Sequence, residues 1–435
     1  MLTLDQIAAQ LQGYDPQALS ATAVNEFLAR MVEPVQQTER VGIFEALGRV
    51  LAEDLISPMN VPPHDNSAMD GFAFAWGPLH VGTPVTLRVV GTAFAGAAWK
   101  GSINPGECLK VMTGAILPVG LDTVVPQEMV QIANQTSGQT ITIPAGILSA
   151  GDNRRLKGED IKVDSAALRK GDKLSPAALG LIASLGVAQL TVWRRLRVAY
   201  FSTGDEILSL GESAREGAVY DSNRYTVFGL LSRLGVEIID LGAVRDDPAL
   251  LESAFKLAAS RADAIITSGG VSVGEADHTK AMMRQLAGSQ GGVAFWRIAM
   301  RPGRPMAVGR IMKPGSADAA VLFGLPGNPV AVMVTFLAFV RPALLQMMGC
   351  KPESQPYLRA ISTEAIRKRP GRTEYQRGIV STSVDGSLQV RITGNQGSGV
   401  LSSMVQASGL IVLHHDQANV AAGDLVDVMM FSGVV

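Results

Sequence analysis

The sequence predicts a multidomain protein of the α/β plus β class, and three observations lead to this prediction. The chain has 435 residues, which at roughly 100–200 residues per domain is about three domains. Its middle part alternates short apolar strands with helix-like segments, a pattern typical of a mostly parallel sheet with helices on both faces. Short β-type runs separated by glycine and proline precede and follow that part, and they predict smaller β domains.

The N-terminal part is predicted to be helical and to be followed by a small β domain. Apolar positions recur three to four residues apart from residue 22 to residue 53, and Pro34 interrupts them. The β domain is expected from about residue 58 to about residue 149. Its strand-like runs are residues 85–90, 107–111, 123–125 and 140–143. A short helix is then predicted at residues 176–186.

Strands and helices alternate from residue 197 onwards. The strand-like runs are residues 197–201, 237–241, 264–267 and 321–323. The helix-like runs are residues 223–234, 247–259 and the apolar segment 330–340. We expect this segment to be a buried helix that begins at Asn328 and Pro329 and is stopped by Arg341 and Pro342. It is too short to span a bilayer, which needs about 20 residues.

A second set of β-type runs follows Pro352 and predicts a small C-terminal β-barrel or sandwich. These runs are residues 377–380, 388–392, 410–413 and 425–429.

Composition excludes several classes of function. The net charge is −1, and no block of like charge marks a nucleic-acid surface or a charged tail. The two cysteines, Cys108 and Cys350, form neither a metal pattern nor a disulfide framework, which fits a reducing compartment. The N-terminus lacks the basic and apolar segments of a signal peptide. The sequence therefore predicts a cytoplasmic protein that binds neither nucleic acid nor membrane.

The segment ADAIITSGGVSVGEADHTK, residues 262–280, is the strongest candidate for a ligand site. A buried strand runs into Gly269 and Gly270, whose backbone N–H groups can approach an anion without a Cβ in the way. Glu275 and Asp277 follow and would repel a bare phosphate. A divalent cation between acid and phosphate removes this conflict. The segment therefore predicts a Mg²⁺-dependent site for a phosphorylated ligand.

Three loops are expected at the carboxyl ends of the parallel strands, where doubly wound sheets bind ligands. They are residues 202–206, 268–277 and 324–329, and we call them the first, second and third strand-end loops. Each loop taken alone is more simply explained as a tight turn with solvated acids. Three such loops at one edge of a sheet favour a ligand-binding site. The segment RIAMRPGRP, residues 297–305, adds three arginines, which suit tetrahedral oxyanions.

Other candidates have plain structural alternatives. Asp70 precedes a glycine and either presents a carboxylate or caps a turn. Thr113 is similar, with a hydroxyl. The mixed charges of residues 154–160 favour a surface salt-bridge cluster on chemistry alone. The histidines show no metal-ligand spacing and no catalytic triad, so none is assigned.

The ordered motifs resemble the molybdopterin molybdenumtransferase family, which includes MoeA and the E domain of gephyrin. In chain order they are NSAMDGFA, MTGAILP, RLKGEDI, STGDEI, RDDP, SGGVSVGEADHTK, RPGRP, GLPGNP, EYQRG and NQGSGVLSS. The resemblance runs from about residue 15 to the C-terminus. It implies an elongated homodimer with four domains per subunit. These are a helical domain (1–57 and 150–192), an inserted β domain (58–149), a MogA-like α/β domain (193–350) and a C-terminal β-barrel (351–435).

The resemblance also implies the reaction and the site residues. Adenylylated molybdopterin and molybdate would give molybdenum cofactor and AMP, with Mg²⁺ as cofactor. The implied catalytic residues are Asp70, Thr113, Glu206, Asp246 and Asp277, of which Glu206 and Asp277 would face the metal. The implied substrate-binding residues are Gly204, Ser268, Gly269, Gly270, Ser272, Arg297, Arg301, Arg304, Pro305, Arg155 and Asp160. Arg377 and Ser398 would handle molybdate.

Two departures and one shared feature follow from the same resemblance. Arginines stand at residues 297, 301 and 304 where lysine is common in the family, so the charge is kept but the hydrogen-bond geometry changes. Ala331 stands where a serine is common. In the family dimer the inserted β domain faces the glycine loops of the partner subunit, so the site would be shared.

Two alternative functions remain. One is adenylylation of molybdopterin, the step that precedes insertion, and the other is a non-catalytic molybdopterin-binding scaffold. The upstream adenylyltransferase is also a candidate partner protein. The long N-terminal part and the C-terminal barrel favour insertion over adenylylation. A scaffold role of the gephyrin type depends on further domains and linkers. An unrelated kinase is disfavoured because no G-x-x-x-x-G-K-[ST] loop is present.

Overall fold

The structure is a computed structural model that describes residues 2–77, 82–136, 138–271, 278–316, 318–352 and 355–431. Its longer elements are helices in the first part and the middle, with sheets between and after them. The helices are Leu4–Ala9, Ala21–Met31, Pro176–Ser184, Ser222–Leu234, Pro248–Arg261, His278–Gly291, the continuous run Pro329–Thr335, Phe336–Val340 and Arg341–Met347, and Ser402–Gln406. Single turns of 3₁₀ helix lie at Ile43–Glu45 and Gln127–Met129.

The central sheet has the mostly parallel arrangement that the sequence predicts. Its strands, in spatial order, are Glu237–Val244, Arg197–Thr203, Ala264–Ser268, Ala319–Leu325, Pro305–Met312 and Val293–Arg297. The first four strands are parallel to one another. Pro305–Met312 runs antiparallel to Ala319–Leu325, and Val293–Arg297 runs antiparallel to Pro305–Met312. Ser202 pairs with Ser268, and Ser268 pairs with Leu325, so three neighbouring strands end at the same level. The three strand-end loops therefore begin side by side at one edge.

The inserted sheet is built from residues that lie between the helical segments. Its strands, in spatial order, are Thr123–Pro126, Gly71–Phe74, Glu107–Val111, Val85–Ala93, Gly138–Ile143 and Gln131–Gln135. All neighbours are antiparallel except Val85–Ala93 and Glu107–Val111, which are parallel. The four predicted strands are present within one to three residues of their expected ends.

The helix predicted over residues 22–53 ends early, at Met31. Thr38–Gly42 is instead a strand that pairs with Gln189–Trp193, and Leu55–Ile56 pairs with Ala166–Leu168. The apolar spacing of Ile43, Leu47 and Val50 is helix-like, but Ile43–Glu45 is a single 3₁₀ turn and Val50 forms an antiparallel bridge with Lys173, so tertiary pairing overrides the local pattern. The N-terminal part is therefore mixed rather than purely helical.

The long apolar helix is buried, as predicted, but it does not end at Arg341 and Pro342. It runs from Pro329 to Met347, with a π-helical turn at Phe336–Val340. Pro342 falls at the start of the next α-helical segment, where its missing N–H is tolerated. Within the described residues this is the one helix long and apolar enough to cross a membrane, and 72% of its most apolar window is buried inside the protein.

The C-terminal strands close into a five-stranded β-barrel, which confirms the barrel prediction. The strands, in order around the barrel, are Thr373–Thr382, Leu388–Ile392, Leu358–Ser362, Leu425–Met430 and Gly409–Leu413. The last of them pairs back with the first through Glu374–Leu413 and Gly378–Gly409. Met300–Arg301 adds a short parallel strand beside Thr373–Glu374, which joins the arginine-rich turn to the barrel.

One continuous core ties these parts together. Phe27 of the first part, Phe323 of the central sheet, Phe336 of the long helix and Leu410 of the barrel are all buried members of the same apolar cluster. Trp296 lies in it and donates a hydrogen bond to the hydroxyl of Tyr14 at 2.9 Å. The strand-end loops therefore stand on a packed base.

Candidate functional site

The first strand-end loop presents two acids beside a glycine. Gly204 has φ +142°, and a Cβ on it would lie 2.5 Å from Oε2 of Glu206. The exposed carboxylate of Glu206 therefore folds back over the glycine. Asp205 accepts a hydrogen bond from the N–H of Asp246 at 3.3 Å, and Asp246 accepts one from the hydroxyl of Thr279 at 3.3 Å. Asp205, which the sequence did not single out, thus links the predicted acids Glu206 and Asp246 at one edge.

The second strand-end loop depends on two glycines. Gly269 has φ +94°, and a Cβ there would lie 2.4 Å from the carbonyl oxygen of Thr203. Gly270 has φ +64°, and its Cβ would lie 2.5 Å from Cβ of Thr279. No other residue type fits either position without displacement. Ser272 and Asp277, which were also predicted here, lie outside the described residues.

Ser268 does not offer its side chain to a ligand. It is buried, and its hydroxyl lies 2.6 Å from the Tyr200 hydroxyl and 3.3 Å from that of Ser202. Burial raises the pKa of Tyr200, so the phenol is neutral and the cluster is a set of uncharged hydroxyls. Ser268 was predicted to bind substrate, but its hydroxyl forms hydrogen bonds with Tyr200 and Ser202 beneath the loop.

The third strand-end loop packs against the second. The N–H of Gly269 donates to the carbonyl of Leu325 at 3.2 Å, and the side-chain amide of Asn223 donates to the carbonyl of Gly327 at 2.7 Å. Gly327 approaches Gly269 closely, since a Cβ on it would lie 3.9 Å from the Gly269 Cα. These bonds fix the second and third loops relative to each other.

The barrel reaches the third loop through Ser398. Asn328 begins the long helix but its side chain makes no capping bond. The N–H of Val330 donates instead to the carbonyl of Ser398 at 3.1 Å. Ala331, next along the helix, is buried, and its methyl group supplies no hydroxyl at the position where the resemblance implies a serine. Ser398 is the hydroxyl residue that the structure puts against this helix end.

The arginine-rich turn joins the central sheet to the barrel. Arg297, Arg301 and Arg304 are all exposed, and Arg297 pairs with Pro305 in the edge ladder. Gly303, at φ +93°, would place a Cβ 2.5 Å from the hydroxyl of Thr335, so the turn packs on the long helix. The three predicted arginines are therefore exposed to solvent on a packed turn.

Arg377 is buried, which the sequence did not predict. Its Nε donates to the hydroxyl of Ser403 at 3.0 Å, and its Nη2 donates to the carbonyls of Gly397 and Asn395 at 2.9 and 3.3 Å. Burial, and then the charge of Arg301, lower the pKa of Arg377 to about 10. It remains charged at neutral pH, and Nη1 is the nitrogen without an acceptor among the described residues.

Asp70 and Thr113 form a tight pair on the inserted sheet. The N–H and the hydroxyl of Thr113 donate to Oδ1 of Asp70 at 2.7 and 2.8 Å. The backbone bond, and then the hydroxyl bond, hold the pKa of Asp70 below its usual range. Asp70 is exposed, so the pair presents an ionised carboxylate to solvent.

The hydroxyl of Thr113 can be tested directly. We expect Thr113→Val to raise the pKa of Asp70 towards its usual value, while the remaining backbone bond keeps it partly lowered. An NMR titration of the Asp70 carboxyl measures this change. Thr86→Val is the control, because Thr86 is an exposed threonine of the same sheet whose hydroxyl bonds to that of Thr142 and to no other side chain that the structure describes. A pKa of Asp70 that stays the same in Thr113→Val would contradict the assignment.

Arg155 and Asp160 are both exposed and are not joined by a hydrogen bond or ion pair in the described parts of the chain. Arg155 lies opposite Asn66 in a two-stranded ladder. The ion pair of this region is Arg154 with Asp65, at 2.5 Å, and Asp65 also accepts from the N–H of Lys157 at 2.7 Å. Asp65 is a residue that sequence reasoning missed, because its partners lie about 90 residues away.

Comparison with known proteins decides the family. Residues 19–186 match the family described as MoeA N-terminal region (domain I and II), residues 199–346 match Probable molybdopterin binding domain, and residues 359–431 match MoeA C-terminal region (domain IV). A molybdopterin molybdenumtransferase of Haemophilus influenzae is 40% identical over 433 residues, which cover 99% of each chain. The chain belongs to the molybdopterin molybdenumtransferase family.

Other members of the molybdopterin molybdenumtransferase family are also similar. A molybdopterin molybdenumtransferase of Nostoc is 33% identical over 401 residues, covering 91% of this chain and 89% of the relative. The crystal structure of a molybdopterin biosynthesis moeA protein from Pyrococcus horikoshii matches with a TM-score of 0.78 at 26% identity, covering 95% of this chain and all of that one. The stretch matched as the molybdopterin-binding domain contains all three strand-end loops and the arginine-rich turn.

Proposed function

We propose that this chain inserts molybdenum from molybdate into adenylylated molybdopterin and releases AMP, as the last step of molybdenum cofactor biosynthesis. The observation that carries the proposal is the convergence of the three strand-end loops at one sheet edge, with two glycines whose positions exclude a Cβ. Backbone N–H groups of such loops suit the pyrophosphate of an adenylylated ligand. Acids at the same edge suit a reaction at that pyrophosphate.

The acids fit a Mg²⁺ ion that is shared with substrate phosphates. Mg²⁺ is commonly held by one or two carboxylates, with waters and phosphate oxygens completing its shell. Glu206 is exposed over Gly204, and its chain neighbour Asp205 accepts a hydrogen bond from the N–H of Asp246. Among the described residues no group of three or more His, Cys, Asp and Glu side chains forms a metal cage. When bound, the ion would neutralise phosphate charge; Glu206 would hold it, with Asp277 proposed as its second acid.

The basic side chains would receive molybdate and the ligand phosphates. Arg297, Arg301 and Arg304 are exposed on one turn. The positive charge of Arg301 contributes to the lowered pKa of Arg377. Guanidinium groups hold tetrahedral oxyanions through paired N–H donors. We propose that Ser398, beside the start of the long helix, adds a hydroxyl to this pocket.

We also propose a homodimer in which Asp70, Thr113, Arg155 and Asp160 serve the loops of the partner subunit. Within the described residues, no hydrogen bond or ion pair joins Asp70 or Thr113 to a strand-end loop of the same chain. Exposed apolar side chains support a contact between copies, since such groups favour association. They include Phe44, Leu47, Tyr225 and Phe228.

The proposal extends to the setting of the enzyme. We propose a cytoplasmic location and the division into four domains. We also propose that the upstream adenylyltransferase hands its product to this enzyme. The buried position of the long apolar helix supports a chain that acts outside the membrane.

The proposed function is tested by incubating the purified protein with adenylylated molybdopterin, molybdate and Mg²⁺. We expect release of AMP together with cofactor that activates a molybdenum-dependent apoenzyme. AMP release that needs neither molybdate nor Mg²⁺, or formation of adenylylated ligand from ATP, would contradict it.

Arg377 should affect molybdate more than the adenylylated ligand. We expect Arg377→Lys to raise the KM for molybdate about tenfold or more, because an ammonium cannot replace Nη1 while keeping the bonds to Ser403 and Gly397. Initial rates over a range of molybdate concentrations measure this. Arg391→Lys, an exposed arginine on the next barrel strand, is the control. A molybdate KM that does not change in Arg377→Lys would remove Arg377 from the site.

A further inference from the structure

A large cleft lies away from the strand-end loops. Its volume is about 1300 Å³. It lies between the helix Ala21–Met31, residues 171–173, the C-terminal end of the long helix and the barrel. No residue of the strand-end loops or of the arginine-rich turn lines it. The proposed molybdenum chemistry makes no use of this cleft. Ligand pockets are commonly about 300–1,000 Å³, so it has room for an organic molecule.

The cleft holds two cations, Arg341 and Lys173, that are not paired with an Asp or Glu of the described part of the chain. Arg341 is half-buried, its Nε is enclosed without an acceptor, and its side chain forms no hydrogen bond or ion pair with any residue that the structure describes. Lys173 has one long contact, from Nζ to the carbonyl of Leu234 at 3.3 Å. The charge of Arg341 acts on Lys173, and burial lowers the pKa of both groups. Enclosing like charges without an anion is costly, and a bound anion would offset that cost.

The acid that lines the cleft, Asp172, already has a cationic partner. Asp172 pairs with Lys351 at 2.5 Å and also accepts from the N–H of Arg169 at 2.7 Å. It is the only Asp or Glu among the described residues that line the cleft. Among the lining residues that the structure describes, the charge without a partner is therefore positive.

Many of the other side chains in the wall are apolar or aromatic, although Asn25, Ser175 and Gln346 also line it. The apolar and aromatic side chains include Leu28, Leu345, Tyr357, Tyr375 and Met429. They come from three different parts of the chain that share one packed core. A ligand that fills the cleft would therefore need an apolar body as well as an anionic end.

We propose that this cleft binds a small molecule with a phosphate or carboxylate group and an apolar body, with the anion held by Arg341 and Lys173. The apolar body packs on the wall that carries Leu345, Tyr357 and Met429. Guanidinium and ammonium groups together accept either anion. Each methylene that enters the cleft should tighten binding about fourfold.

Calorimetric titration of the full-length protein with octyl phosphate, octanoate and inorganic phosphate tests the proposal. We expect at least one octyl compound to bind saturably and more tightly than inorganic phosphate. The octyl compound with the higher affinity identifies whether the natural ligand carries a phosphate or a carboxylate. Arg341→Met and Lys173→Met should each weaken binding about tenfold or more. Arg359→Met is the control, because Arg359 is an exposed arginine of the barrel outside the cleft.

Three results would overturn the proposal. The first is the absence of saturable binding by every probe. The second is binding that Arg341→Met and Lys173→Met leave unchanged. The third is a change of oligomeric state in these variants, which would make the cleft a contact between subunits. Because Gly269→Ala alters only the strand-end loops, it should bind the octyl probe normally, which separates this cleft from the proposed active site.

Discussion

Gly269→Ala should abolish most of the activity while leaving the fold intact. The added Cβ would lie 2.4 Å from the Thr203 carbonyl oxygen and 3.0 Å from its hydroxyl, so the second strand-end loop must move away from the first. That movement also strains the bond from the Gly269 N–H to Leu325. A displacement of about 1 Å at a reacting centre can reduce the rate on the order of 100-fold. We expect a loss of that size in AMP release.

Gly211→Ala is a matched control for this prediction. Gly211 has the same φ of +94°, but a Cβ on it meets nothing within 4 Å. Both variants therefore carry the cost of a left-handed alanine, about 1–2 kcal/mol in the free energy of unfolding, and only Gly269→Ala carries the clash. AMP release by Gly269→Ala that equals release by Gly211→Ala would show that the loop is not a phosphate cradle.

Glu206→Gln should give the second large effect. The exposed carboxylate lies over Gly204, and an amide of the same size keeps the shape while removing the charge that would hold Mg²⁺. One charge-assisted contact corresponds to about 10–100-fold in an equilibrium constant. We therefore expect the Mg²⁺ concentration for half-maximal AMP release to rise by about that factor.

The control for Glu206→Gln is Glu216→Gln. Glu216 is an exposed glutamate ten residues further along the same connection, and it forms no ion pair or hydrogen bond with the residues that the structure describes. Its substitution should leave the Mg²⁺ dependence of AMP release unchanged. If Glu206→Gln behaves in the same way, the metal assignment is wrong.

Local patterns predicted the parts of the site that follow from strand direction. Parallel strands that neighbour each other end at one edge, so the strand-end loops had to meet there once the strands were recognised. Gly269 and Gly270 could be singled out because glycine after a buried strand permits a positive φ, which both residues adopt. Regularly spaced short strands predicted a C-terminal β-barrel or sandwich, and the structure has the closed barrel.

Features that depend on distant partners could not be predicted from one sequence. Thr38–Gly42 becomes a strand only because Gln189–Trp193 pairs with it. The hydroxyl of Ser268 is hidden because Tyr200 lies under the loop, and Arg377 is enclosed by the loop that contains Gly397. Burial of a polar group is set by packing, which no local pattern records.

The continuation of the long helix beyond Pro342 has the same kind of cause. The turn Phe336–Val340 is π-helical, so the register of backbone hydrogen bonds changes before the proline. A local rule that stops helices at proline cannot anticipate this.

Activity of mixed dimers tests the central claim most directly. Asp70→Ala and Glu206→Ala subunits, each inactive as a homodimer, are exchanged in equal amounts and AMP release is measured in the presence of molybdate and Mg²⁺. If Asp70 of one subunit serves the strand-end loops of the other, each mixed dimer keeps one intact site, and about a quarter of the wild-type rate should return. Complete inactivity of mixed dimers whose formation is verified would contradict the shared molybdenum-insertion site.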